Sequence, residues 1–580
     1  MPETNTALAQ IFRDMSAMYQ YMGGAERFRT LAYLKAARVI GALQADVTTY
    51  IKNNTLEDID GIGAHIADKI KEFVKTGKIK KYEELKTEVP HELLETMQIS
   101  GFGPQSLKAI HEKLGVNSKE ELVKALQDGS ISNIKGFGKK KVENMLRGLK
   151  LHKTVEDRML LWQALELGDT ITRELEKLKE IKQIEVAGSV RRRKETIGDI
   201  DVLVACQPEH RKKIARSFVS LPGVKEVLAN GETKASITLG EKRRQVDLRL
   251  IDENEWGPAL LYFTGSKEHN VHLRTIAKER GLKINEYGVF RLKDEKRLAG
   301  KTEEEIYKLL GFAWVPPEMR EEHGELELAE KNKIPKLVEL TDMKGDLHMH
   351  SNWSDGMLDI EELADFVLKN YKYQYIALTD HSKSERIAHG MDEKGFLKQL
   401  KAIAAVNKKP GKDFIKAGVE VDILNDGKLD LNDELLAQLD WVCASVHSGF
   451  KEDATGRLIK ACENPYVCCI GHPSGRLIGK REAYPVDWPK VFKAAKQTGT
   501  AVEINAQPER MDLNDELAFA AREAGVMLTI STDSHNSDNY QFMKAGVYIA
   551  RRAWCTADDI LNTRSWKEIE TFINRKRKKK

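Results

Sequence analysis

Over residues 1 to about 150, apolar positions recur at three- and four-residue steps, as in Phe28, Leu31, Leu34 and again Ile70, Phe73, Val74. That period places side chains on one face of a helix, so the stretch is expected to be helical. Three segments punctuate it: Ile59-Asp60-Gly61-Ile62-Gly63, Ile99-Ser100-Gly101-Phe102-Gly103 and Ile134-Lys135-Gly136-Phe137-Gly138. Each reads apolar-x-Gly-apolar-Gly and leads into a helical pattern. From about 180 to 250 the pattern turns to strands, with candidates at 184–187, 200–204 and 245–250. The charged segment 316–338, opened by Pro316-Pro317, shows no clear strand and reads as a linker with some helix.

From about 340, seven short apolar runs alternate with helical stretches, at 345–348, 375–379, 415–419, 441–445, 467–470, 501–504 and 527–530. Strand–helix alternation predicts a parallel sheet, and seven repeats that end in polar residues predict a barrel with its site at the C-terminal strand ends. Those polar residues are His348, His350, Asp355, His381, Glu420, His447, His472, Asp533 and His535. In a strand, residues i and i+2 face the same way, so His348 and His350 are expected to point together, as are Asp533 and His535. Nine nitrogen and oxygen ligands exceed one ion's needs and suit two or three. Imidazole with carboxylate favours zinc, manganese or iron. Clustered divalent ions activate water against a phosphoester.

A second constellation is Gly188-Ser189-Val190-Arg191-Arg192, then Gly198-Asp199-Ile200-Asp201, then Asp247 inside an otherwise apolar strand. A lone carboxylate there would be costly, whereas three convergent carboxylates make a site for two Mg²⁺ ions. Gly188 and Ser189 give close backbone approach to a phosphate, and Arg192 can neutralise its charge.

Composition changes this picture little. The 580 residues are 41% hydrophobic and 31% charged, as in ordinary globular domains, and the length calls for several of them. A net charge of +4 on 93 basic and 89 acidic residues does not by itself argue for nucleic acid. The run Arg575-Lys576-Arg577-Lys578-Lys579-Lys580 reads as a solvated tail with weak phosphate affinity. No apolar run is long enough for a membrane span and no signal peptide is evident, so a cytoplasmic enzyme is expected. Six cysteines without C-x-x-C spacing read as buried free thiols.

Taken together, the motifs around His348-x-His350, Thr379-Asp380-His381, Gly418-Val419-Glu420, Val446-His447, Gly471-His472-Pro473 and Asp533-x-His535 resemble the polymerase-and-histidinol-phosphatase (PHP) family. That resemblance implies a distorted seven-stranded (β/α) barrel holding Mn²⁺ and/or Zn²⁺, two to three ions. It also implies a partition: His348, His350, Glu420 and Asp533 on one ion; Glu420, His447 and His472 on a second; Asp355, His381 and His535 on a third. Residues 1–315 resemble the family X DNA polymerases, which implies gapped or primed DNA and dNTPs as partners and Mg²⁺ or Mn²⁺ at Asp199, Asp201 and Asp247.

The polymerase resemblance assigns further residues. Tyr262-Phe263-Thr264-Gly265-Ser266 is similar to the segment that faces the sugar, and Asn270 and Arg274 fall where the family meets base and template. The glycine segments resemble helix–hairpin–helix motifs, in which Gly61, Gly63, Gly101, Gly103, Gly136 and Gly138 hold the DNA backbone. The first of them resembles a small lyase domain: Lys69 matches its Schiff-base lysine and Lys35 a phosphate contact. Ile197 departs from a phosphate-contacting serine, Gln245 from an arginine, and His65 from a lysine. The implied architecture is multidomain α+β and α/β: a helical lyase-like domain 1–85, helix–hairpin–helix fingers 86–150, a nucleotidyltransferase palm 151–230 with the Asp247 strand, palm end and thumb 231–315, a linker 316–338, and a PHP barrel 339–580. The expected functions are short-gap filling in base-excision repair by a monomer, associated with the nucleoid while on DNA, and 3′–5′ exonuclease activity. Abasic-site endonuclease, 3′-phosphatase and 5′-deoxyribose-phosphate lyase activities are added expectations. The alternative is a polymerase whose PHP domain is structural or a small-molecule phosphatase.

Overall fold

The computed structural model describes the chain except for residues 1–2, 24–25, 44, 60, 99–101, 140, 144, 147–148, 150–157, 410–413 and 579–580. The chain divides into two compact units, Met1–Thr154 with Gly479–Glu482, and Val155–Ile478 with Ala483–Lys580.

The first unit is helical, beginning with Glu3–Met22 and Arg27–Ala42, which pack together. The helix expected around Phe28 is present, but its buried face is a different one. Tyr33, Ala36, Ala37 and Ile40 are buried against Leu8, Phe12 and Met15, while Phe28 is 85% exposed and Leu31 faces solvent. Both stripes carry helical spacing. The small Ala36 and Ala37 side chains permit close approach of the two helices, and Tyr33 stacks on Tyr19 with ring centroids 5.4 Å apart.

In the second unit, five strands form a mixed sheet: β1 (Gln183–Val186), β2 (Ile200–Ala205), β3 (Val224–Asn230), β4 (Lys234–Leu239) and β5 (Arg244–Ile251). Their order is β1-β2-β5-β4-β3, and only β2 and β5 run parallel. Buried Val202, Val204, Leu248 and Leu250 hold the sheet's core, against which the helices Leu161–Leu175 and Arg211–Val219 pack. Strands β3 and β4 were not anticipated; β3 is largely exposed and its Val224-Lys225-Glu226 start shows little apolar pattern.

The C-terminal region holds the seven expected parallel strands, in sequential order: β6 (Gly345–Met349), β7 (Tyr375–Leu378), β8 (Ile415–Asp422), β9 (Trp441–Ser445), β10 (Cys469–Ile470), β11 (Ala501–Asn505) and β12 (Leu528–Ser531). Backbone bonds from His350 N to Ser534 O (2.8 Å) and from Asp533 N to His348 O (2.9 Å) bring the last strand's end back to the first, nearly closing a barrel. Apart from half-buried Lys416, all seven strands are buried along their length, as helices packed outside a parallel sheet require. All six cysteines are buried free thiols.

Two expectations need correction. The segment 316–338 is not a loose connection. Arg320 is fully buried and donates to Glu303, which also receives Arg191, while Glu325 accepts from buried His269 at 2.6 Å. Its charges are satisfied by partners distant in sequence, which a local reading cannot see. The basic C-terminus is likewise no free tail. It ends the helix Trp566–Arg577, where buried Lys576 donates to Thr500 Oγ1 at 2.6 Å and Arg577 to the Leu439 carbonyl at 2.8 Å. No helix among the described residues is long and apolar enough to cross a membrane.

Candidate metal centres and nucleic-acid interface

The barrel ends gather all nine predicted residues. His348 lies in β6 and His350 just past it, with ring centroids 5.2 Å apart. Both reach one oxygen of Glu420, at 3.3 and 3.6 Å, and His381 reaches the same oxygen at 3.0 Å. The other Glu420 oxygen meets His447 at 3.3 Å and His472 at 2.8 Å. Asp533 lies 3.2 Å from His350, and Asp355 collects His535 at 3.3 Å and His381 at 3.7 Å. Asp533 and His535 converge differently from expectation. They lie beyond the end of β12, and Asp533 adopts φ +49°, so a turn rather than strand alternation aims them.

These residues fit divalent ions on two grounds. Nitrogens of His348, His350, His381, His447 and His472, with oxygens of Asp355 and Glu420, are buried without a hydrogen-bond partner. Such groups are costly unless something else binds them. Their spacing also suits an ion, since ligands about 2.1 Å from a metal stand roughly 3.0–3.4 Å apart along a coordination edge. Ligand atoms converge within 4.8 Å in the groups His350, Asp355, His381, His535; His348, His350, Glu420; and His381, Glu420, His447. Burial alone would raise the Glu420 and Asp533 carboxyls, but the surrounding imidazoles hold both well below their ordinary range. Burial and the neighbouring His535 and His381 push His350 down to about 3, which keeps a nitrogen lone pair free.

Several supporting residues escaped the sequence reading. Glu503, fully buried in β11, accepts His348 Nδ1 at 2.8 Å and the His472 backbone N–H at 2.6 Å. Asp422 meets His447 Nδ1 at 3.3 Å, and Arg510 lies 3.5 Å from Asp533. Glu503 carried a signal: like Asp247, it is a charged residue in mid-strand, and Asp422 stands two residues after Glu420 on the same strand.

In the sheet of β1–β5, Asp201 on β2 stands in register with Asp247 on the neighbouring β5. Asp199 is exposed and immediately precedes β2. Burial, and then the Asp199 and Asp247 charges, push Asp201 up to about 6. Asp247 is steadied by Lys234 at 3.2 Å and by Gln245 Nε2 at 3.2 Å. Burial would lift it, but the neighbouring Ser236 hydroxyl, with Gln245 and Lys234, holds it down. Gly188, at φ +60°, must be glycine: a Cβ would stand 2.5 Å from Asp201 Oδ2. Ser189 follows in the short helix Gly188–Arg191. A Cβ on Gly198 would meet Arg158 at 3.1 Å. Ile197 is buried in the core rather than facing a ligand.

Tyr262 and Phe263 form an edge contact on the helix Trp256–Thr264. Asn270 donates to the Tyr262 carbonyl at 2.9 Å, Arg274 to the Asn270 carbonyl at 3.2 Å, and these residues share one niche. Arg192 donates to the carbonyl of Thr264, beside Gly265, and to Glu321 at 3.1 Å. In the helical unit, Gly63 and Gly103 cap the helices Ala64–Thr76 and Pro104–Leu114, and Gly136 takes φ +91°. The backbone at Gly63, Gly103, Gly136 and Gly138 is open, as phosphate approach to a helix start requires. Lys35 lies against Gly61, whose Cβ would meet it at 2.9 Å. Lys69 Nζ sits 3.4 Å from the His65 carbonyl. Gly101 lies outside the described residues.

Comparison with known proteins agrees with this layout. Family models match in five places: a helix-hairpin-helix domain over 3–79, a SAM-like helix-hairpin-helix tandem over 92–151, the DNA polymerase beta palm over 163–250, the DNA polymerase beta thumb over 259–321, and a PHP domain over 346–507. The chain is 38% identical over 563 residues to the DNA polymerase/3′-5′ exonuclease PolX of Bacillus subtilis (strain 168), covering 96% of this chain and 97% of that protein. A probable phosphatase of Thermoanaerobacter sp. (strain X514) is 34% identical over 218 residues, 35% of this chain and 84% of that protein. DNA polymerase lambda of Rattus norvegicus is 24% identical over 344 residues, 55% of this chain and 56% of that protein. With both candidate constellations on one chain and a relative matching nearly end to end, the chain belongs to the family X DNA polymerases that carry a PHP domain.

Proposed function

We propose that this chain fills short DNA gaps during base-excision repair and trims 3′-ends with its own barrel. The chain is a DNA polymerase with 3′–5′ exonuclease activity, and the observation that carries the reading is the coexistence of the Asp201–Asp247 register with a nine-residue ligand cage in one compact unit. Asp199, Asp201 and Asp247 would hold Mg²⁺ or Mn²⁺, and the barrel residues Mn²⁺ or Zn²⁺; bound ions supply charge neutralisation and a lowered pKa for the attacking oxygen. Gly188 and Ser189 admit the triphosphate, Arg192 neutralises it, and Tyr262 with Phe263 lies against the sugar. In the barrel, the two oxygens of Glu420 meet two groups of histidines, and buried His350 and His472 are held neutral, each with a nitrogen lone pair. The open glycine hairpins support DNA positioning without sequence readout.

Two finer activities belong to this proposal. Lys69 is assigned to 5′-deoxyribose-phosphate removal through a Schiff base, and Lys35, which lies against Gly61, to the phosphate. The barrel is assigned abasic-site endonuclease and 3′-phosphatase activity as well as nucleotide trimming. The likeness to a probable phosphatase favours a second reading, in which the barrel's main substrate is a phosphomonoester.

The decisive experiment uses a gapped duplex with dNTPs and Mn²⁺. Asp199→Ala with Asp201→Ala removes extension and leaves 3′ shortening; His348→Ala with His350→Ala does the reverse. Loss of both activities in either variant refutes the two-centre assignment. Shortening that stops once a 3′-phosphate is removed establishes the phosphomonoester reading instead.

A further inference from the structure

One charged network joins the polymerase centre to the barrel. Arg192 gives its Nε to Glu321 at 3.1 Å and an Nη1 to the Thr264 carbonyl. The same Glu321 oxygen accepts Arg552 Nη1 at 3.0 Å, and Arg552 also donates to the Arg192 carbonyl at 2.7 Å. Arg552 belongs to the helix Met543–Arg552, which packs on β11 and β12 of the barrel, and its Nε is held by Asp515 at 2.8 Å. Arg552 is 8% exposed, and Lys194 stands 4.0 Å from the shared Glu321 oxygen.

The arrangement has a physical consequence. Glu321 and Thr264 occupy Nε and Nη1 of Arg192, and its Nη2 has no hydrogen-bond partner among the described residues. The guanidinium is thus fixed in direction with one edge still able to donate. A carboxylate facing an arginine would normally cancel the charge that the arginine offers to a phosphate. Here that carboxylate is divided between Arg192 and Arg552, so Arg192 is held without being neutralised. Burial would raise the Glu321 carboxyl, but Arg552, Arg192 and Lys194 keep it below its ordinary range.

We propose that Arg552 of the barrel and Glu321 at the end of the thumb are positioning residues for nucleotide addition, setting the direction and effective charge of Arg192 toward the dNTP triphosphate. The proposal rests on the reading of Arg192 as a triphosphate contact and extends it: the hydrolytic domain is part of the polymerase's nucleotide site. Arg552→Met leaves Glu321 facing Arg192 alone, so the KM for dNTP rises. Glu321→Gln keeps the shape but loosens the hold, with the same direction. Site couplings of about 1–3 kcal/mol correspond to roughly 5–150-fold, and about tenfold in KM is expected for either variant, with kcat changed less.

The test measures steady-state dNTP incorporation on a primed template with the full chain, alongside Mn²⁺-dependent 3′ trimming and thermal melting. A KM rise of about tenfold, with trimming and melting retained in Glu321→Gln, supports the proposal. Unchanged KM in both folded variants overturns it. Equal loss of extension, trimming and melting temperature in both variants also overturns it, since the network is then only structural. Arg192→Ala is measured in parallel. If its KM is unchanged, the assignment of Arg192 itself fails, which separates that failure from failure of the coupling. Additive effects of Arg192→Lys and Glu321→Gln, rather than a shared one, likewise overturn the coupling.

Discussion

Replacing Glu503 by glutamine should cripple the barrel's metal site without removing any residue of the ligand cage. The Glu503 carboxylate is fully buried and accepts three donors: His348 Nδ1 at 2.8 Å, the His472 backbone N–H at 2.6 Å and Asn505 Nδ2 at 3.1 Å. The first fixes the His348 tautomer so that Nε2, which faces Glu420 and Asp533, keeps its lone pair for an ion. Glutamine has one acceptor oxygen and one NH₂ group, so wherever the amide points, a donor confronts a donor. A hydrogen bond to a charged group contributes about 1.5–3 kcal/mol, which converts to roughly 10–150-fold in ion affinity. Loss of an orienting partner in known metal sites costs about 10–100-fold, which brackets the same range. Titration of the metal-free protein with Mn²⁺, followed by calorimetry, should show this weakening. The Mn²⁺ concentration for half-maximal 3′ trimming should rise in parallel, while primer extension in Mg²⁺ is retained. Unchanged Mn²⁺ affinity in a folded Glu503→Gln protein would refute the orienting role.

Three further outcomes follow from named contacts. Glu303 is buried between Arg191 and Arg320, so Glu303→Ala leaves two arginines facing each other and should cost about 3–5 kcal/mol in denaturant unfolding; a loss below about 1 kcal/mol would contradict that. Asp201 is lifted from 3.8 to about 6, so the folded state binds its proton more tightly than the unfolded chain, and stability is lost as pH rises through that window. Asp201→Asn should therefore raise metal-free stability above pH 6 by up to about 3 kcal/mol and by almost nothing below pH 4, read from melting curves across pH; a gain that does not depend on pH would count against it. Borohydride trapping on a 5′-deoxyribose-phosphate substrate should label Lys69 and be lost in Lys69→Ala; an undiminished adduct in that variant would move the nucleophile elsewhere.

Much of the architecture was legible because it depends on periodicity and on costly residues. The barrel strands were visible as apolar runs, since a parallel sheet is buried on both faces and hides no polar alternation. The carboxylates proposed for nucleotidyl transfer stand out because Asp247 breaks an apolar strand. Phe28-Leu31-Leu34 and Tyr33-Ala36-Ala37-Ile40 share helical spacing, and the second is the buried face, where the small alanines let the helices meet. The exposed strand β3 offered no pattern to read.

What stayed hidden is pairing at long range, and it has one physical cause. Arg320, Glu325, Lys576 and Arg552 each look solvated in sequence, because a charged residue is assumed to face water unless a partner is named. Their partners lie far along the chain: Glu303 and His269 for the first two, Thr500 for Lys576, and Glu321 for Arg552. The ligand cage escaped this limitation only because strand ends of a barrel converge by construction, so residues far apart along the chain, from His348 to His535, are brought together by topology. No such rule places Arg552 beside Arg192. That contact requires the whole barrel to sit on the palm, as the edge contact of Trp162 with Phe542 at 5.1 Å and the Arg476–Glu195 pair at 2.6 Å also show. The independence of two catalytic centres, which separate motifs encourage one to assume, is therefore the inference that sequence supports least: the centres are distinct in their ligands and joined in their supporting charges.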